Sequence, residues 1–338
     1  ADCGTGHLLI AAGRIAYMGP ELPEIDKALL ASDTDMQGAR LTPGLIDGHT
    51  HLTGGGGEAG FSTRVPVVPL TEFTRAGVTS VIGLLGTDDT TRSTSSLIAQ
   101  TYALREEGLN AWCYTGGYHL PLTTLTGSAR SDIVHIECVI GVGELAISDH
   151  RSSQPQFDEI VRVASEAHVA GVMTGKAGIV HLHLGDGERG LELIERALKE
   201  TEIPARVFNP THVNRKKSLF EQACELSRQG VYVDLTAFPD SDDDDTWSAA
   251  DAWQRYIEAG CPSEKITISS DGGGCLPVFD KQGELIKLDY GRSMTLFDCL
   301  VELLKRDQKL SDVLPAMTSN PATLLRLKNK GQLCVGAD

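Results

Sequence analysis

Two histidines one residue apart, His49-Thr50-His51, have the spacing that lets both imidazoles reach a single ion, because residues i and i+2 of a strand point to the same side. Alone, such a pair is equally two polar residues at a strand end. Later positions change the balance. Glu144 follows Val139-Ile-Gly-Val-Gly, His183 closes Gly178-Ile-Val-His-Leu-His183, His212 lies in Asn209-Pro-Thr-His212, and Asp271 closes Ile266-Thr-Ile-Ser-Ser-Asp271. Imidazole nitrogens combined with carboxylate oxygens suit Zn²⁺ or a similar borderline divalent ion. His181 shares the strand side of His183. We take His183 as the candidate ligand because it is nearer the strand end, and His181 as a packed neighbour. Asp271 precedes three glycines and would read as a turn residue without the histidines.

These residues need elements that bring them to one place. Short β-rich runs fall near 45–51, 78–85, 111–117, 139–147, 178–184, 205–211, 231–236 and 266–270. Helical stretches separate them, among them Leu97–Glu107, Phe157–Ala170, Leu191–Glu200 and Leu219–Arg228. Eight alternations predict an α/β chain folded as a (β/α)8 TIM barrel, whose reactive groups come from the C-terminal ends of different strands. The candidate ligands sit at such ends. A doubly wound open sheet is the rival, but Gly54-Gly-Gly-Gly57 lies in a loop and no G-x-G-x-x-G opens a helix at the first junction. Residues 8–19 read as two short strands turning at Gly13, and Asp242–Asp245 as a solvated loop.

Composition narrows the function. With 30 Lys plus Arg against 46 Asp plus Glu, the formal charge is -16, which argues against nucleic-acid and anionic-membrane partners because both need a positive face. No run of about 18 apolar residues is present to span a bilayer. The eight cysteines are scattered without a C-x-x-C pair, as expected of thiols in a cytoplasmic protein rather than a disulfide framework. The opening Ala1-Asp2-Cys3-Gly4 has neither a basic n-region nor an apolar h-region. Both ends read as cuts within a longer chain.

Longer motifs carry a resemblance. Gly48-His-Thr-His-Leu-Thr-Gly-Gly-Gly-Gly-Glu58, Gly83-Leu-Leu-Gly-Thr87-Asp, Thr115-Gly-Gly-Tyr118-His, Ile147-Ser-Asp-His-Arg151, Pro210-Thr-His-Val-Asn-Arg215 and Ser270-Asp271-Gly resemble the isoaspartyl dipeptidases of the amidohydrolase superfamily, over residues 8–335. The resemblance implies a barrel at 43–327 and a small β-sandwich, incompletely represented, built from 1–42 and 328–338. It implies a homo-oligomeric metallo-dipeptidase cleaving β-aspartyl dipeptides with two zinc ions per subunit. His49, His51, Glu144 and Asp271 would surround one ion, and Glu144, His183 and His212 the other. A hydroxide shared by the ions would attack the amide carbonyl. Tyr118 would polarise the carbonyl oxygen, and Asp271 would be general acid and base. Glu58 would pair with the substrate ammonium, Arg151 and Arg215 with its carboxylates, and Thr87 and Cys275 would add contacts.

Two positions depart from the family's pattern. The family bridges its metals with a carboxylated lysine, whereas this chain has no lysine between Lys27 and Lys176. Counting back from Ser148-Asp-His-Arg151 puts Glu144 at that position. Its carboxylate has the same two-oxygen head on a shorter stem, so we assign it as the bridge. Cys275 stands where the family has a serine, and a thiol is a poor hydrogen-bond donor. Both departures keep open a second reading, a metal-dependent amidohydrolase acting on a different N-acyl or cyclic amide. A third reading is a catalytically silent metal-binding barrel.

Overall fold

The computed structural model describes residues 4–57, 60–238, 244–279 and 285–338. The chain begins with an antiparallel hairpin, β1 (His7–Ala11) and β2 (Arg14–Gly19). Its two turn residues, Ala12 and Gly13, both have positive φ, the requirement of a tight hairpin turn. The C-terminal stretch lies against it: the Ile15 amide donates to the Ala337 carbonyl at 2.7 Å, and the Gly336 amide to the Ile15 carbonyl at 2.8 Å.

Eight parallel strands follow. β3 (Leu45–Thr50), β4 (Val78–Gly83), β5 (Asn110–Thr115), β6 (Val139–Ile147), β7 (Val180–Leu184) and β8 (Phe208–Thr211) form one curled sheet in chain order. β9 (Val233–Thr236) and β10 (Ile266–Ser269) form a separate parallel pair. Each overlaps a run expected from the sequence. The runs are legible because strands covered on both faces are apolar throughout. All nine residues of β6 are buried.

Polar side chains close the two seams of this TIM-barrel-like ring. Between β8 and β9, Thr211 donates to Asp234 Oδ2 at 2.7 Å and the Asn209 amide to the Tyr232 carbonyl at 2.9 Å. Thr267 and Ser269 of β10 donate to the same carboxylate, each at 2.6 Å. Between β10 and β3, the His51 amide donates to the Gly272 carbonyl at 2.7 Å, and the Ser270 amide and hydroxyl to Asp47 at 3.1 and 2.5 Å. Burial pushes the Asp47 carboxyl up to about 6, against the lowering effect of Ser270.

Helices pack outside the ring, among them Thr94–Glu106, Phe157–Thr174, Glu192–Glu200, Lys217–Arg228, Ala249–Glu258 and Met294–Lys305. The first starts three residues earlier than the sequence suggested because Ser93 and Ser96 cap each other's backbone. The second continues to Gly175, whose left-handed φ of 74° ends it. Buried Trp253 and Tyr256 fill the space under one outer helix. One element was not anticipated: an antiparallel hairpin of β11 (Cys275–Phe279) and β12 (Leu285–Tyr290) directly after β10. Of the acidic run, Asp244 and Asp245 are exposed, and residues 242–243 lie outside the described residues. Among the described residues, no helix is long and apolar enough to cross a membrane.

Candidate metal centre

The ends of β3, β6, β7, β8 and β10 converge, and with them His49, His51, Glu144, His183, His212 and Asp271. All six are buried. His49, His51 and Asp271 present ligand atoms within 4.8 Å of one another, and so do His49, Glu144 and His212. Glu144 lies between the groups. Its Oε1 is 3.4 Å from His51 Nε2, while its Oε2 is 3.0 Å from His183 Nδ1 and 3.5 Å from His212 Nε2. Asp271 Oδ1 stands 3.0 Å from His51 Nε2 and 3.3 Å from His49 Nε2.

Only part of this cluster is hydrogen-bonded: His183 Nδ1 and Glu144 Oε2 form a bond at 3.0 Å. His49 Nε2, His51 Nδ1 and Asp271 Oδ1 are buried polar atoms without an aligned partner. Such orphans are rare because each forfeits its hydration. A divalent cation would satisfy clustered nitrogen and oxygen donors together, so the residues fit such an ion. Two of the six, His212 and Asp271, hold left-handed backbone at φ of 61° and 53°, which costs energy for residues other than glycine.

A polar chain sets the orientation of His49. The Asn209 side-chain amide donates to the Tyr232 carbonyl, so its oxygen is left to accept from His181 Nδ1 at 2.7 Å. His181 Nε2 then accepts from His49 Nδ1 at 2.8 Å, which leaves His49 Nε2 aimed at the cluster. Burial pushes the His181 imidazole down to about 3, as a neutral ring in this chain requires. His181 therefore turns to His49 and, like His183, lies outside both of these three-residue groups, while His183 meets Glu144, Asp149 and Tyr118. Burial also pushes the Glu144 and Asp271 carboxyls up, but neighbouring histidines outweigh it and hold both well below the usual carboxylate range.

The remaining candidates surround this cluster. Tyr118, in the loop after β5, places its hydroxyl 2.8 Å from His183 Nδ1, and burial first, then Glu144, pushes its phenol well above the ordinary range. Arg151 Nη2 and Arg215 Nη1 each lie 3.4 Å from His183 Nε2. Arg215 also donates to the Leu184 carbonyl. Thr87 is half-buried in the loop after β4. Cys275 opens β11 half-buried, and a Cβ added at Gly56 would come within 3.3 Å of its sulfur, so it lies against the glycine loop after β3. Glu58 lies outside the described residues.

Asp149 escaped the sequence reasoning. Its carboxylate accepts from Arg151 Nε at 3.1 Å and Nη2 at 2.7 Å, and lies 3.0 Å from His183 Nε2. The available signal was an acid two residues before the arginine in Ile147-Ser-Asp-His-Arg151. Gly86 was also missed. A Cβ there would sit 2.6 Å from His51 Cε1 and 3.3 Å from Glu144 Oε1. We expect Gly86→Ala to displace His51 and lower bound metal at least about tenfold in affinity, read by competition with a chromogenic chelator. Wild-type affinity in that variant would show that the loop yields instead.

Comparison with known proteins agrees with this geometry. The model of the amidohydrolase family matches residues 40–338. The β-aspartyl dipeptidase of Fervidobacterium islandicum AW-1, solved in complex with the β-Asp-Leu dipeptide, is 42% identical with a TM-score of 0.91, over 99% of this chain and 86% of that one. A second structure of that dipeptidase is 41% identical with a TM-score of 0.86, over 96% and 84%. The imidazolonepropionase of Ralstonia nicotianae is 36% identical over 126 residues, 35% of this chain and 30% of its own length. The chain thus spans under a third of that curated relative.

Proposed function

The chain belongs to the amidohydrolase family, beside its β-aspartyl dipeptidases, and from that premise we propose that it hydrolyses β-aspartyl dipeptides with the help of divalent metal ions. The observation that carries the substrate class is the convergence of two guanidinium groups on one flank of the cluster, each 3.4 Å from the same nitrogen of His183. Two such cations in a chain of net charge -16 suit a small substrate with two carboxylates.

In this reading His49, His51 and Asp271 would hold one ion and His183 and His212 the other, with the Glu144 carboxylate, which faces both sets of histidines, shared between them. Zinc ions at such a site supply an acidified water as nucleophile and polarise the carbonyl. The chain's own groups do the rest. Tyr118, protonated because burial disfavours its phenolate, donates to the oxygen on which negative charge develops. The Asp271 carboxylate takes the nucleophile's proton and delivers it to the leaving amine. Arg151 and Arg215 orient the substrate carboxylates, and Glu58 the ammonium. Thr87 and Cys275 line the remaining edge.

The finer expectations belong to the same proposal. Contact between the hairpin and residues 336–337 supports a small second domain of 1–42 and 328–338 beside a barrel of 43–327. Zinc as the ion, a cytoplasmic setting and a homo-oligomer stand with it.

The local likeness to imidazolonepropionase, with Glu144 and Cys275 as departures, favours one second reading, hydrolysis of another amide. The deciding experiment measures metal content and turnover of β-Asp-Leu, α-Asp-Leu and N-acyl amino acids. We expect hydrolysis of β-Asp-Leu alone, abolished by chelation and restored by zinc. Metal-loaded protein that ignores β-Asp-Leu and cleaves another amide would replace the first reading with the second.

A further inference from the structure

Four of the loops that carry residues to grip the substrate are those after β3 (Glu58), β4 (Thr87), β5 (Tyr118) and β6 (Arg151). Separate loops on a barrel rim move independently unless something ties them. Productive catalysis needs groups held within about 0.5 Å of the working geometry. Two adjacent carboxylates of the loop after β4, Asp88 and Asp89, reach in different directions to the other three.

Asp88 accepts from Arg92 Nη1 at 2.7 Å, and from the amide and hydroxyl of Thr91 at 2.8 and 2.5 Å. The buried Arg92 guanidinium also donates to the carbonyls of Thr53, Gly55, Gly56 and Val65 at 3.3, 2.8, 3.2 and 3.1 Å. Those carbonyls belong to both limbs of the loop that holds Glu58. Gly54, Gly56 and Gly57 have positive φ there, so the loop's shape suits glycine and leaves few side chains to support it.

Asp89 serves the other side. Its Oδ2 accepts from the His119 amide at 3.1 Å, and its Oδ1 lies 2.9 Å from His119 Nδ1. The far nitrogen of the same ring, Nε2, lies 3.1 Å from the Arg151 carbonyl. One imidazole therefore joins the loops after β4, β5 and β6. The Leu120 amide adds a bond to Ser153 Oγ at 3.0 Å. Space for Asp89 depends on Gly117, where a Cβ would fall 2.5 Å from the Asp89 Cβ.

We propose that Asp88 and Asp89 form a positioning hub, Asp88 acting through Arg92 on the loop that leads to Glu58 and Asp89 acting through His119 on the loops that carry Tyr118 and Arg151. The roles of those three residues rest on the proposed dipeptidase reading. The hub itself rests on the bonds. None of its four members touches substrate in this account; they act by holding residues that do.

The test uses the metal-loaded full chain. Hydrogen–deuterium exchange in Asp89→Asn is expected to rise in segments 116–121 and 149–154 while 53–57 stays as in wild type. Asp88→Asn is expected to do the reverse. His119→Gln and Arg92→Lys repeat each arm should an aspartate variant fold poorly. With β-Asp-Leu, Asp89→Asn should raise KM at least about tenfold, change kcat less, and leave metal content intact. Combined with Arg151→Met, it should add little further loss, because both act on one contact. Exchange changes confined to residues 86–90 in every variant, or full additivity with Arg151→Met, would overturn the hub. Wild-type protein inert toward the dipeptide would overturn the dipeptidase reading instead, and the exchange patterns would still decide the hub.

Discussion

Glu144→Gln is expected to lose at least one metal ion and to lower kcat at least about 100-fold. Glu144 is 1% exposed and faces histidines through both oxygens, so its negative charge is the one group placed to offset cations on either side. Glutamine keeps the shape, removes that charge and presents an amide donor to one of the metal positions. Two cations held near each other without an anionic bridge repel strongly in a low-dielectric interior. The glutamate should also change how the centre assembles. A lysine carbamate forms by reaction with CO₂, whereas a glutamate needs no such step. Chelated protein should therefore regain activity with Zn²⁺ alone, at a rate indifferent to bicarbonate. Glu144→Lys can restore a bridge only by taking up CO₂, so any recovery in that variant must depend on bicarbonate. Metal content and kcat of the two variants, each with and without bicarbonate, check the assignment. Full metal occupancy with near-normal kcat in Glu144→Gln would make Glu144 a bystander.

Arg151→Met and Arg215→Met should each lower kcat/KM for a β-aspartyl dipeptide by about 30- to 1,000-fold, roughly 2–4 kcal/mol, mostly through KM. A substrate amidated at its C-terminal carboxylate should lose sensitivity to one of the two variants, and that variant identifies the arginine bound to the C-terminus. The structure adds an asymmetry. Arg151 neutralises the buried Asp149 through two side-chain bonds, so its loss strands a carboxylate. Arg215 donates to the Leu184 carbonyl, a neutral acceptor, so losing that contact strands no charge. Arg151→Met should therefore also lower the melting temperature, and Arg215→Met should change it less. If both variants retain turnover within about twofold of wild type, the substrate is not a dicarboxylate and the substrate class is wrong.

Much of the ring was legible from the sequence because the signals were local. A parallel strand covered on both faces must be apolar along its length, so 139–147 and 266–270 announce themselves. A histidine or carboxylate at the end of such a run costs too much to bury unpaired, so His49, His51, Glu144, His183, His212 and Asp271 stood out. Helix boundaries were blurrier, since the Ser93 cap and the left-handed Gly175 outweigh apolar periodicity at their ends. The β11–β12 hairpin was missed because Cys275–Phe279 and Leu285–Tyr290 look like a loop unless their pairing is known.

From the sequence alone came the eight strand–helix units, the candidate ligands at strand ends, the acidic charge balance and the absence of a lysine for the usual bridge. The first three follow from spacing and composition, and the missing lysine gains its meaning only from the family that the motifs resemble. Tertiary structure alone decided which acids serve which neighbours. Asp47 and Asp234 close the two seams, Asp149 pairs with Arg151 beside His183, and His181 turns to His49 instead of the ligand groups. Each of these choices turns on the partner a polar side chain finds when buried, and except for the Asp149–Arg151 pair those partners lie far away in the chain, from 23 residues for Thr211 and Asp234 to 223 for Asp47 and Ser270. No local pattern encodes a contact across such a separation, so only the folded chain, where an unmet donor or acceptor is costly, selects it.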